Sequence, residues 1–249
     1  MDKTVTILGG GESGLGAAIL ASKNNYNVFV SDSNLIKKER KIILEKNKIL
    51  YEEGGHSSEK VLSSNLIIKS PGIPNEIDLI KKIKKQNIEL ISEIEFAARF
   101  SKAKIIAVTG TNGKTTTSLL IYHILKEAGY DVSIAGNIGN SFAFEISKRD
   151  YDYVVLEMSS FQLDNITDLK PKISILLNIS SDHLGRYNGH IDAYIASKLR
   201  ITSNQESDDF LIYNHDDKNF KKINTKAKKI PLSLNKEIKG DAGYYTNKN

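Results

Sequence analysis

Two glycine-rich turns, each set between an apolar β-rich run and a helical pattern, constrain this chain more than anything else in it. The first is Gly9-Gly10-Gly11 with Gly14, after Val5-Thr6-Ile7-Leu8. The second runs from Thr109 through Gly110, Thr111, Asn112 and Gly113 to Lys114 and Thr115, after Ile105-Ile106-Ala107-Val108. A strand that turns on glycines straight into a helix leaves backbone N–H groups uncommitted at the positive end of the helix dipole, which suits an anion. Apolar β-rich runs alternate with helical patterns along the whole sequence, so an α/β fold with mostly parallel sheets is expected.

In the first half, strands are expected at Val5–Leu8, Val28–Val30 and Leu66–Ile68. Helices are expected through Leu20, over a Lys-rich run, near 76–86 and near 92–100. Ser70-Pro71-Gly72 closes the third of these strands as a rigid turn. In the second half, strands are expected at Ile105–Val108, near 131–134, 153–157 and 173–177, and at 210–213. Helices are expected over Thr115–Ala128 and 192–203. The boundary falls between 90 and 103, giving domains 1–92 and 93–249.

Composition removes several function classes. The 249 residues contain no cysteine, which excludes disulfides, thiolate zinc sites and cysteine nucleophiles. No apolar run is long enough for a membrane span, and the N-terminal apolar run reads as a strand rather than a signal peptide, so a cytoplasmic protein is expected. The net charge of +5 sits largely in three stretches, Lys37–Lys48, Lys81–Lys85 and Lys218–Lys229, read as solvated helix faces. Phe220 is the one aromatic among them, which is no interleaved pattern, and they match no nucleic-acid module, so nucleic acid is not an expected partner.

The first loop has the pattern G-x-G-x-x-G at Gly9, Gly11 and Gly14, and Asp32 ends the next strand. Such a loop reads only phosphate, and an acid at that strand end suits a nucleoside hydroxyl or N–H. NAD, another nucleotide, or a turn with no ligand all fit. The second loop is a phosphate loop in which Val108 stands where the general pattern has its first glycine. It predicts ATP, with Lys114 on the terminal phosphates and the Thr115 hydroxyl on Mg²⁺. Glu157, at the end of Tyr153-Val154-Val155-Leu156, is either a second Mg²⁺ ligand or a strand-end carboxylate in solvent. Lys198 by itself reads as a solvated helix lysine. His56, His123, His190 and His215 read as surface, turn or helix histidines.

The run Thr109–Thr116, TGTNGKTT, resembles the short phosphate loop of the Mur ligase family. Leu156 to Leu163, LEMSSFQL, resembles the member that adds D-glutamate. Gly136-Asn137-Ile138-Gly139, Asn178 to Tyr187, Ser197-Lys198-Leu199-Arg200, Ser70-Pro71-Gly72 and Tyr213 to Asp217 are similar to further family motifs, in order along the chain. The resemblance implies a Rossmann-like UDP-binding domain followed by a phosphate-loop ATP-binding α/β central domain, truncated, with a third domain lacking. It implies an ATP-dependent amide ligase of peptidoglycan precursor synthesis. That enzyme joins D-glutamate to UDP-N-acetylmuramoyl-L-alanine through an acyl phosphate, acts as a monomer, and has two Mg²⁺ sites. Gly110, Thr111, Asn112, Gly113, Lys114, Thr115 and Thr116 would hold ATP. Thr115, Glu157, His183 and a carbamylated Lys198 would hold metal, and Lys114, His183 and Lys198 would be catalytic. Gly14, Asp32, Ser70, Gly72, Asn137, Ser159, Gln162 and His183 would meet the UDP substrate. Gly185 stands where relatives usually carry Asp, and Asn34 where some carry Arg. These 249 residues alone are expected to be inactive. The alternative is a non-catalytic relative that binds UDP-sugar and ATP.

Overall fold

The computed structural model describes residues 3–180, 184–187, 189–220, 223–235 and 237–238. It forms two compact units. The first takes in the chain up to Ser101 together with Gly139–Asp150 and Asn165–Thr167, and the second takes in the rest.

In chain order the first half holds β1 (Thr4–Leu8), α1 (Glu12–Lys23), β2 (Asn27–Ser31), α2 (Lys38–Lys46) and β3 (Leu50–Glu52). Then come α3 (Ser58–Leu62), β4 (Leu66–Lys69), α4 (Asp78–Lys85), β5 (Glu89–Ser92) and α5 (Glu93–Ala98). All five strands pair in parallel in the order β3-β2-β1-β4-β5. Strands covered on both faces need apolar residues at successive positions, and Val5, Ile7, Leu8, Ile67 and Ile68 are buried accordingly. Helix α4 shows the complementary pattern. Leu79, Ile80 and Ile83 are buried against Leu8, Val61 and Ile67, while Lys81, Lys82, Lys84 and Lys85 are exposed.

The second half holds β6 (Lys104–Thr109), α6 (Lys114–Glu127), β7 (Val132–Gly136), α7 (Phe142–Lys148), β8 (Tyr153–Glu157) and α8 (Ser160–Leu163). It continues with β9 (Ile173–Leu176), α9 (Ile191–Leu199), β10 (Phe210–Asn214) and β11 (Lys228–Leu232). Its sheet is again parallel, in the order β11-β10-β9-β6-β8-β7.

Two expectations change. The described residues of the lysine run 218–229 do not form the expected helix: they hold a short 3₁₀ turn at Lys218–Phe220 and the start of β11, which pairs with β10. Among the described residues β11 is the end strand of the sheet, paired with β10 alone, and such a position tolerates lysines and Pro231. The segment between the two helices expected near 76–86 and 92–100 contains β5, which pairs Leu66–Lys69 with Glu89–Ser92 in register.

Helices α5 and α7 meet in the first unit through one buried acid. Glu93 is 3% exposed and its Oε1 accepts the Ala143 N–H at 2.5 Å. Burial pushes its carboxyl up to about 7; the Ala143 bond opposes that rise and the charge of Glu12 adds to it. The unfolded chain ionises this group near 4.5. Between those two values the folded chain holds the extra proton, so the stability linked to Glu93 is full below 4.5 and is lost as pH rises to about 7. Glu93→Gln is expected to stabilise the chain by about 3 kcal/mol at pH 8, several degrees in Tm, and to change little at pH 4.5. Melting curves at the two pH values decide; an equal shift at both would remove Glu93 as the source.

Candidate ligand sites

In the first unit the turn after β1 is built around Gly14. It is buried, and a Cβ placed on it would stand 1.8 Å from the Gly9 carbonyl oxygen, so only glycine lets α1 start this close to the strand end. Gly14 therefore shapes the loop. Gly11, the N-cap of α1, supplies no side-chain cap, and a Cβ on it would meet nothing within 4 Å. The helix start there is open to a ligand.

Beside this turn lies a cavity of about 520 Å³ walled by Gly9, Gly11, Asp32, Asn34, Ser70 and Gly72, with His56 also on its surface. Asp32 Oδ2 accepts the Gly10 N–H at 2.6 Å, and its Oδ1 accepts the Asn34 N–H at 2.8 Å. The carboxylate thus ties the glycine loop to the end of β2, and a nucleoside would use its remaining lone pairs. Asn34 contributes that backbone N–H to the same corner. Ser70 and Gly72 belong to a turn whose Ser70 N–H reaches the Leu8 carbonyl at 2.9 Å.

His56, whose sequence context suggests only a surface, turn or helix histidine, lines this cavity. Its Nδ1 stands 2.7 Å from Ser31 Oγ, which donates to Glu52 Oε1 at 2.7 Å. Burial raises the Glu52 carboxyl, but hydrogen bonds from Ser57 and Ser31 and the charge of Lys60 outweigh it, and the net shift is downward. An ionised Glu52 takes the only Ser31 hydroxyl proton, so Nδ1 of His56 must be the donor to Ser31. The signal in the sequence is positional: Gly54-Gly55-His56 follows β3 at the same sheet edge as Asp32.

In the second unit the loop between β6 and α6 is stitched to the strand β9 side. Thr111 N–H donates to the Asn178 carbonyl at 2.8 Å, Asn112 N–H to Asn178 Oδ1 at 2.8 Å, and Asn178 Nδ2 back to the Asn112 carbonyl at 3.0 Å. Thr111 Oγ1 accepts from Ser180 N–H at 3.0 Å and lies 3.2 Å from the Tyr194 hydroxyl. Lys114 folds back, its Nζ donating to the Thr111 carbonyl at 2.8 Å. Gly110, Gly113, Thr115 and Thr116 complete the turn, and the two threonines are exposed at the start of α6.

Glu157 is 1% exposed and pairs in register with Val108 and Gly136, so the sheet delivers its carboxylate beside the loop. The solvated alternative for this acid fails. Its Oε2 accepts the Thr115 hydroxyl at 2.9 Å and its Oε1 accepts Asn137 Nδ2 at 2.8 Å. Ser159 and Gln162 form the capping box of α8: Ser159 Oγ accepts the Gln162 N–H at 3.3 Å and Gln162 Oε1 accepts the Ser159 N–H at 2.9 Å.

Lys198 overturns its solvated alternative too. It is 2% exposed. Its Nζ donates to the Gly110 carbonyl at 2.9 Å and sits 4.7 Å from the centre of the Tyr194 ring. Burial first, and the nearby charge of Lys114 second, bring its pKa down to about 7. His183 lies outside the described residues. Among the described residues no group of three or more His, Asp or Glu side chains forms a metal cluster.

The Thr115 hydroxyl and the Glu157 carboxylate nevertheless fit a magnesium ion. Neighbouring ligands of an octahedron with Mg–O near 2.0–2.1 Å stand about 2.9 Å apart, and Mg²⁺ commonly takes its other ligands from water and phosphate. The two oxygens here are 2.9 Å apart through the hydrogen bond that the hydroxyl donates to the carboxylate, and the hydroxyl proton would have to turn away for both oxygens to face an ion.

A family profile described as Mur ligase middle domain matches residues 108–248, and one described as MurD N-terminal domain matches residues 4–79. The chain is 47% identical to a UDP-N-acetylmuramoylalanine–D-glutamate ligase of Christiangramia forsetii, over 100% of this chain and 57% of that protein. It is 48% identical to a protein of the same name from Bacteroides thetaiotaomicron, over 94% of this chain and 54% of that one. The chain thus spans little more than half the length of these curated relatives. Among solved structures, the ligase UDP-N-acetylmuramate:L-alanyl-gamma-D-glutamyl-meso-diaminopimelate ligase from Neisseria meningitides superposes with a TM-score of 0.65 at 16% identity, covering 93% of this chain and 78% of that one. A murein peptide ligase from Psychrobacter arcticus gives 0.62 at 19%, covering 93% and 54%. These two likenesses speak for the fold.

Proposed function

The chain belongs to the Mur ligase family, and from that premise we propose that it carries the UDP-substrate and ATP sites of a ligase joining D-glutamate to UDP-N-acetylmuramoyl-L-alanine. The observation that carries this reading is the convergence on one loop. Thr115, Glu157 and Asn137 are hydrogen-bonded in a chain, and a buried Lys198 amine rests on the Gly110 carbonyl of the same turn. The identity of 47% over the full chain to a ligase of that name supports the choice of substrates.

The chemical problem is to bring an ATP terminal phosphate against a carboxylate, two anions. Backbone N–H groups at the start of α6 and the Lys114 ammonium would hold the phosphates and offset their charge. The carboxylate of the muramoyl-alanine substrate takes the phosphoryl group and becomes an acyl phosphate. The amine of D-glutamate then attacks that carbonyl, and phosphate leaves from the tetrahedral intermediate. Asn137, Ser159 and Gln162 would orient the muramoyl-alanine end, and Asp32, Ser70 and Gly72 the UDP end, on the loop shaped by Gly14. Mg²⁺ would be held by Thr115 and Glu157, and a second ion by His183 and a carbamylated Lys198, supplying positive charge at the reacting oxygens. Lys198 is suited to carbamylation because only the neutral amine attacks CO₂, and its pKa of about 7 leaves much of it neutral at cytoplasmic pH. The reading places the protein in the cytoplasm, as a monomer. Among the described residues no helix is long and apolar enough to cross a membrane.

The test is radiolabelled D-glutamate with UDP-N-acetylmuramoyl-L-alanine, ATP and Mg²⁺, given to a protein that joins this chain to the C-terminal region of its relatives. Label is expected in a UDP-bound dipeptide only when all components are present. Incorporation of another amino acid in preference to D-glutamate would reassign the substrate. Binding of UDP and ATP without any product would favour the non-catalytic alternative.

A further inference from the structure

The cavity beside the first glycine loop has a direction. Its donors lie at the end of β1, where α1 opens with backbone N–H groups that no side chain caps. Its acceptors lie farther along the sheet edge. Asp32 follows β2, and His56 lies in the loop after β3. The strand order β3-β2-β1 puts the ends of those two strands one and two strand spacings, about 5 and 10 Å, from the end of β1. A nucleoside diphosphate carries its parts in the same order: phosphate, ribose, base. An acid at the end of the second strand suits the ribose hydroxyls. The end of the third strand is left for the base.

The residue there is held firmly. The Gly55 N–H donates to the Asp32 carbonyl at 3.2 Å and the Gly54 N–H to the Asn34 carbonyl at 3.4 Å, which fastens the loop after β3 to the loop after β2. Ser57 fastens it again, its N–H and hydroxyl both donating to Glu52. Anchoring the loop therefore does not call for a histidine. His56 is half-buried on the cavity surface. Its Nδ1 donates to Ser31 Oγ at 2.7 Å, and Ser31, 0% exposed, is committed to Glu52. That bond fixes ring and tautomer together. With its proton on Nδ1, a neutral imidazole carries a lone pair on Nε2. Nε2 is on the opposite edge of the ring from Ser31, and among the described residues it has no hydrogen-bond partner.

We propose that His56 reads the base of the nucleotide, its Nε2 accepting the N3–H of uracil. The inference rests on the reading of the cavity as the UDP site. Cytosine presents a bare lone pair at N3, which Nε2 repels, so the same contact selects uracil over cytosine.

UDP and CDP share ribose and diphosphate, and their ratio isolates the base. Both are titrated calorimetrically into the unmodified chain and into His56→Asn. The asparagine amide N–H replaces Nδ1 on Ser31, but that side chain has no atom at the place of Nε2. The unmodified chain is expected to favour UDP over CDP. The variant is expected to narrow that preference about tenfold, the scale of one hydrogen bond. A ratio that stays the same in the variant overturns the proposal, whether both affinities hold or both fall together; a common fall marks a ribose contact or a purely structural role. No preference for UDP in the unmodified chain overturns it too. Failure of the unmodified chain to bind UDP would instead sink the UDP reading of the cavity. If His56→Asn does not fold, nitrogen NMR of the UDP-bound unmodified chain decides. His56 is expected to show a protonated Nδ1 and a bare Nε2, and a proton on Nε2 overturns the proposal.

Discussion

Lys114→Ala is expected to lower acyl-phosphate formation by about a thousandfold, the upper range for loss of one preorganised charge-stabilising group. Lys114 opens α6, and no acid lies in the first turn of that helix. The site therefore presents backbone N–H groups and the Lys114 ammonium, with Glu157, on the Thr115 hydroxyl at 2.9 Å, as the acid that reaches this helix start. In the ligand-free fold that ammonium rests on the Thr111 carbonyl at 2.8 Å, within the loop it would serve. Its loss should leave folding largely intact, since the side chain is only part-buried. Trapping the acyl phosphate with hydroxylamine, in the protein extended by the C-terminal region of its relatives, measures the step directly. Near-normal hydroxamate yield from the variant would remove Lys114 from the phosphates.

The second large effect is expected at Lys198. Lys198→Ala should reduce amide formation at least about a hundredfold, and small carboxylates such as acetate or formate should restore part of it. The physical case is the mismatch between residue and place. An ammonium 2% exposed, near the charge of Lys114, is disfavoured, and the pKa falls to about 7. The neutral amine that results can add CO₂ and become an anionic oxygen donor beside the phosphate loop. Truncating so buried a side chain leaves a cavity and removes the donor to the Gly110 carbonyl, so some stability is lost as well; melting curves, and Lys198→Met as the volume-matched control, separate loss of activity from unfolding. Full activity of Lys198→Ala with no added carboxylate would rule out a carbamate there.

Much of this is legible in the sequence. The strand–glycine–helix patterns at Gly9 and Gly110 mark both loops, because few residues other than glycine permit those turns and because strand and helix patterns flank them. Continuous apolar runs such as Val154-Val155-Leu156 identify two-sided parallel strands. Local pattern fails where a neighbour decides. The lysines of 218–229 read as a helix face, and only the open side of β10 makes Lys228–Leu232 a strand. The segment Glu89–Ser92 carries too short an apolar signal to separate it from the helices on either side, and its pairing with β4 makes it β5.

The amino-acid order by itself determined the two glycine loops, the parallel α/β class and the family, because these depend on residue types a few positions apart. Only the tertiary structure decided which side chains lose their water. Lys198 and Lys69 are lysines like the solvated ones in any window of sequence, and no local pattern distinguishes them. Each is buried when distant segments close over it: Gly110 and Tyr194 around the first, the 70–73 turn and the flanking strands around the second. Desolvation is a property of the surroundings rather than of the residue, so it is written in the packing and not in the spacing.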